Sequence, residues 1–199
     1  MRQKPFDASL SKSVRSAPSF CARSAKISAM GRPQPSEYDP YYERYISLVE
    51  NDEIIGTLGA QPTRLQDLLT ALPEEKGDFR YAEGKWSIKD LLGHLIDGER
   101  MFAYRLFRIS RGDETPIEGF EQDGYIENAH SGSRSFGDML EEFTLLRRST
   151  MILIKNLTDE DWGRLGTANN VSVSVRALIY IMAGHIEHHL AILKERYLT

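Results

Sequence analysis

The sequence predicts an all-α protein, a four-helix bundle with a short leading helix. Three observations predict it. Four stretches of ~20 residues carry apolar residues at the i, i+3, i+4 spacing of a core-facing helical stripe. Capping or breaking residues bound each stretch. A strand signal is confined to Val171–Val175, which alternates, and nothing else in the chain reads as its partner. It is therefore read as a loop running into the last helix.

In chain order, Ser36 is placed to cap the leading helix, with Pro40 near its first turn. Tyr41, Tyr42, Tyr45, Ile46 and Val49 give it an apolar aromatic face, a candidate homodimer surface. Ile54, Leu58, Leu65, Leu68, Leu69 and Leu72 define a helix from about Glu53 to Leu72, which Pro62 should kink or restart and Pro73 closes. Glu74 to Lys85, with Gly77 and Gly84, reads as loop. Ser87 with Asp90 three residues on makes a capping box, with Asp in place of Glu. The helix it opens should reach about Arg111, with Leu91, His94, Leu95, Gly98, Met101, Phe102 and Arg105 inward. Residues 113–134 have no clean period; a loop this long in a compact domain is typically a lid or pocket wall. Phe136, Met139, Leu140, Phe143, Leu146, Thr150, Leu153 and Ile154 mark a helix from about Ser135 to Asn156. Thr158–Trp162 reads as a turn, Gly163–Val171 as polar loop, and Val173–Tyr197 as the last helix.

Composition bounds the function. At 199 residues, 41% hydrophobic and 27% charged, the chain suits one soluble domain with an appendage. Residues 1 to 30 carry Arg2, Lys4, Lys12, Arg15, Arg23 and Lys26 against Asp7, a net of +5. The rest is then -9 within a whole-chain charge of -4. This Ser-rich opening reads as a disordered or mis-assigned extension over residues 1–31, with the folded domain at 32–199. The acidic domain argues against nucleic acid, and no apolar run approaches the ~20 residues of a membrane span. Cys21 stands alone, so there is neither a disulfide framework nor a cysteine zinc site, and a reducing, cytoplasmic setting is expected.

Chemistry concentrates in Gly184-His185-Ile186-Glu187-His188-His189-Leu190. His185 and His189 are four apart, so both imidazoles leave one helix face from successive turns. They occupy the stripe of Leu178, Ile181, Met182, Ile192 and Leu193, in place of core residues. His94 interrupts the stripe of an earlier helix in the same way. If those helices are neighbours, three imidazoles converge inside the bundle. That donor set leaves a divalent ion open positions, the catalytic kind of site. Core histidines satisfied by ordinary hydrogen bonds are the competing reading, and spacing alone leaves both open.

Two of these stretches carry a resemblance. The run Trp86-Ser87-Ile88-Lys89-Asp90-Leu91-Leu92-Gly93-His94-Leu95-Ile96-Asp97-Gly98-Glu99-Arg100, followed by Tyr104-Arg105, resembles the second helix of the DinB-like superfamily. Gly184 to His189, ending in Glu195-Arg196-Tyr197, resembles its last helix. Tyr38–Val49 and Pro116–Tyr125 are similar too, and the likeness covers about residues 33–198. It implies a four-helix bundle of the DinB-like type with His94, His185 and His189 on one divalent transition metal: nickel, zinc, iron or manganese. Among similar proteins are bacillithiol- and mycothiol-dependent S-transferases, a mycothiol-dependent isomerase, and proteins designated only as metal-dependent hydrolases. The expected partners are then a small-molecule electrophile and a low-molecular-weight thiol. The alternative is a non-catalytic metal-binding or stress-related bundle.

Other residues have two readings. Arg105 and Asp97 are the catalytic candidates: Arg105 could orient an anionic substrate, or pair in the core with Asp97 or Glu99. Glu187 should point away from the ligand face, unlike the base of a His-Glu-x-x-His helix. His188 should be exposed, Trp86 should anchor its helix start, and Met101 and Tyr104 should fill the core.

Overall fold

The computed structural model describes residues 31–50 and 53–198. The extension expected over 1–31 therefore lies, apart from Gly31, outside the described residues, as does Cys21. Two single 3-10 turns, Pro35–Glu37 and Pro40–Tyr42, lead into the short helix α1 (Glu43–Ile46). Asp39, and not Ser36, caps this entry, its side chain accepting from the Tyr41 N–H. The bundle helices are α2 (Ile54–Leu69), α3 (Ile88–Ser110), α5 (Phe136–Lys155) and α7 (Val175–Ile192). Shorter helices α4 (Gln122–Ala129) and α6 (Asp159–Trp162) lie in the connections.

The caps follow the sequence. Ser87 and Asp90 exchange both bonds of the capping box at the start of α3, and Ser135 and Ser174 cap α5 and α7. Pro62 does not restart α2, which runs through it without interruption. It lies in the helix's third turn, where neighbouring helices supply the burial that outweighs one lost bond. The last helix ends its α geometry at Ile192 and closes with a π turn, Leu193–Tyr197.

The reading of residues 163–175 needs correction. Leu165–Ala168 (β1) and Val171–Ser174 (β2) form an antiparallel hairpin with Leu165 opposite Ser174. Asn169 and Asn170 both take positive φ, 53° and 63°, as a two-residue type I′ turn demands. The 113–134 stretch is also more ordered than a loop. Ile117 bridges to Ala168, donating to the Thr167 carbonyl and accepting from the Asn169 N–H, both at 2.9 Å. Helix α4 follows.

Around the bundle, α2 neighbours α5 and α7, and α3 neighbours α5 and α7. Consecutive helices α2 and α3 thus sit on one diagonal, α5 and α7 on the other. The long connections 70–87 and 156–174 make those crossings feasible. The core divides into two apolar clusters, one around Leu58, Leu106, Ile154 and Ile179, the other around Leu65, Leu92, Phe143 and Leu190. Helices α2 and α7 run from the first to the second, α3 and α5 in reverse. Between them lies a buried polar layer containing Gln61, Glu99 and Arg147. Tyr104, expected in the core, is 49% exposed and meets Arg108 instead. No helix among the described residues is long and apolar enough to cross a membrane.

Candidate metal centre

The level of the polar layer is also the level of the histidines. His94 comes from α3, His185 and His189 from the neighbouring α7, and all three are buried. One nitrogen from each lies within 4.8 Å of the others. His94 Nε2 and His185 Nε2 are 2.9 Å apart. Two nitrogens bound to one ion at ~2.1 Å in a tetrahedral or octahedral arrangement stand ~3.0–3.4 Å apart, so the His94–His185 pair is at ligating spacing, with a His189 nitrogen within 4.8 Å of both. His189 Nδ1 is buried and has no hydrogen-bond partner. An orphaned polar atom of this kind costs ~1–3 kcal/mol unless something else engages the ring.

Burial decides the protonation. It pushes His94 down to about 4, and it drives His185 and His189 well below the usual imidazole value, with the neighbouring histidines adding to the effect. Three neutral imidazoles are the form a metal ion requires. The donor set therefore fits a divalent transition ion.

The surroundings are aromatic and tight. The Trp86 ring lies 4.8 Å from His94, and Tyr45 and Phe102 approach His185 edge-on at 5.6 and 5.5 Å. Tyr45 is brought there by Gly184: a Cβ at that glycine would lie 1.9 Å from the Tyr45 carbonyl oxygen, so only glycine lets α1 rest on α7. Gly98 plays the same part on α3, where a Cβ would come within 3.2 Å of His185 Cε1. Beside the ligands opens a cavity of about 280 Å³, lined by His94, His185, Arg105, Tyr42, Gln122 and Asn169 among others.

A family model described as the DinB superfamily matches residues 57–193, most of the chain. The chain belongs to the DinB superfamily. Among curated relatives, YfiT of Bacillus subtilis is 24% identical over 162 residues, covering 80% of this chain and 89% of YfiT. A Bacillus pumilus relative is 26% identical over 144 residues, 71% of this chain and 81% of its own. Both are designated, provisionally, metal-dependent hydrolases. The solved structure of YfiT shares the fold, with a TM-score of 0.68 at 19% identity over 84% of this chain and 93% of that one. It is described as "a probable metal-dependent hydrolase with an unusual four-helix bundle topology".

The histidines singled out in the sequence are thus brought together, and the remaining candidates separate. Arg105 reaches the cavity, whereas Asp97 lines another cleft with Arg100 and Glu142. Neither acid proposed for Arg105 pairs with it. Glu99 pairs with Arg147, and Asp97 faces Arg100 at 3.9 Å. Glu187 does point away, accepting from Gln61 and Arg64. His188 is half-buried against Tyr45, at 5.6 Å, and not freely exposed. Phe120, Glu121 and Gln122 wall the cavity from the 113–134 stretch read as a pocket wall, whereas Tyr42 and Asn169 carry no such reading. The Asn-Asn pair was the signal for the last of them, since it marks the hairpin turn.

Proposed function

We propose that this DinB-superfamily protein is a metal-dependent enzyme acting on small molecules, and that it directs a low-molecular-weight thiol or a water at an electrophile. The observation that carries the reading is the opening of a small cavity directly onto His94 and His185. A divalent ion such as nickel, zinc, iron or manganese would be held by His94, His185 and His189, supplying Lewis acidity and a lowered pKa for a thiol or water bound to it.

The chain's own residues supply the rest. Trp86, Tyr45 and Phe102 wall the ligands and keep the imidazoles neutral by excluding water. Burial pushes Tyr45 up to about 12, so its hydroxyl stays protonated and is able to donate a hydrogen bond. Among the described residues lining the cavity, Glu121 is the one carboxylate, and it is exposed. Hydrolysis ordinarily calls for a positioned general base. A thiol, whose ordinary pKa is ~8.5, needs none once a metal lowers it. A water on the same ion, lowered to ~7, is activated in the same way, so the site admits both nucleophiles. The lone Cys21 is in keeping with work in a reducing cytoplasm.

The test is a turnover comparison of the zinc- and nickel-loaded protein with cysteine and monobromobimane, beside hydrolysis of p-nitrophenyl acetate. Conjugation faster than the free-thiol reaction, and absent in His94→Ala, is expected. Background rates for both reactions in fully loaded protein would overturn the proposal.

A further inference from the structure

Arg105 is an exception in this molecule. The other buried charged side chains among the described residues each meet an opposite charge: Lys89 with Glu74 at 2.6 Å, Asp161 with Arg164 at 2.7 Å, Asp90 with Arg80 and Glu99 with Arg147 at 2.9 Å. Arg105 is only 5% exposed and meets none. Its Nη2 makes one long bond, 3.3 Å, to the Glu118 carbonyl, and its Nε is buried without a partner. A guanidinium remains charged in any protein setting and presents a planar fork of donors. Leaving such a group in a core without a counter-ion is costly, and an incoming anion would offset that cost.

Its place in the fold says where the anion comes from. Arg105 lines the same cavity as His94 and His185. The segment that carries Glu118 is held over it by the Ile117 bridge to the hairpin. Gly98, against His185, precedes Arg105 by two turns of α3, ~10 Å of rise. The guanidinium and the ligands thus line one cavity from different turns of α3 and α7. Glu121, exposed on the same cavity, disfavours a second negative charge.

We propose that Arg105 recognises a carboxylate on the molecule that enters the metal cavity, so that the substrates are small monocarboxylates with an apolar spacer between the carboxylate and the reacting group. The inference rests on the metal-enzyme reading above. The carboxylate could be carried by the thiol or by the electrophile, and the chemistry of recognition is the same: Nε and one Nη of Arg105 donating to its two oxygens. The aromatic lining of Tyr42, Tyr45 and Phe102 suits the spacer.

The test is equilibrium binding of 4-mercaptobenzoate and its neutral isostere 4-mercaptobenzamide to the zinc-loaded protein, to Arg105→Met and to Arg105→Lys. The wild type should bind the acid about tenfold or more tightly than the amide. Arg105→Met should bind both alike, and Arg105→Lys should recover part of the preference. Equal affinities in the wild type, a comparison that needs no variant, would overturn the inference, as would a preference that survives in Arg105→Met. Arg105-dependent binding of 4-methylbenzoate would place the carboxylate on the electrophile; dependence seen only with the thiol present would place it on the thiol. Zinc uptake is measured alongside. Uptake without Arg105-dependent acid preference sinks this inference alone, and absent uptake with the preference retained sinks the metal reading alone.

Discussion

Arg147 donates from Nε and Nη2 to the two carboxylate oxygens of Glu99, at 3.0 and 2.9 Å, with both side chains only 1% exposed. The pair joins α5 to α3. Arg147 Nη1 also reaches the Leu58 carbonyl and Gln61 Oε1 on α2. Gln61 in turn donates to the Ala183 carbonyl at 2.8 Å and to Glu187 on α7. One polar network therefore touches all four bundle helices, and its last two acceptors bracket His185.

Breaking that pair on one side should be severe. Arg147→Met leaves Glu99 buried without its partner, and a loss of ~3–5 kcal/mol in unfolding free energy is expected. Glu99→Leu combined with Arg147→Met removes both charges and should recover much of the loss. Urea unfolding of the two single variants and the double variant gives the coupling directly; a strictly additive double variant would contradict the network.

Gly184→Ala should uncover the site. The added Cβ meets the backbone of Tyr45, which cannot rotate aside, so α1 must lift from α7. Overpacking of this kind costs ~1–3 kcal/mol, and with it goes the Tyr45 ring that shields His185 and His188. Tyrosine fluorescence and thermal unfolding would register both effects. A variant with wild-type stability would mean that α1 does not rest on Gly184.

The metal-free protein should weaken in mild acid. Buried His94 titrates at about 4 and the other two ligands well below their ordinary value of 6.5. Between pH 6.5 and 4 the unfolded chain binds more protons than the folded one, so stability falls as pH drops through that window. Above 6.5 the contribution is fully present. His94 alone accounts for roughly 3 kcal/mol by pH 4. Chelator-treated protein should show a lower urea midpoint at pH 5 than at pH 7, and replacing His94 with Gln should shrink the difference, the part owed to His185 and His189 remaining.

Much of this was legible in the sequence, and the failures have physical causes. His94, His185 and His189 stood out because three imidazoles replaced apolar residues in register on two stripes. Gln61 and Arg147 do the same, at the positions between Leu58 and Leu65 and between Phe143 and Ile154, yet were passed over. A long polar side chain at the edge of a stripe usually extends to solvent, and its partners lie on other helices. The hairpin was missed because β1 (Leu165–Ala168) holds a glycine and an alanine and shows little alternation; Asn169-Asn170 carried the turn signal instead. Pro62 misled because propensity yields to tertiary packing. The contact of Tyr45 with His185 depends on a short helix meeting a glycine far along the chain, which no local pattern encodes.

The most direct test of the central claim is metal content by elemental analysis on protein purified without a histidine tag, beside His94→Ala and the His185→Ala/His189→Ala double variant. About one equivalent of a transition metal in the wild type, lost in both variants while their helical content is kept, is the predicted result. A wild type that takes up no metal, or variants that hold it as tightly, would contradict a three-histidine centre.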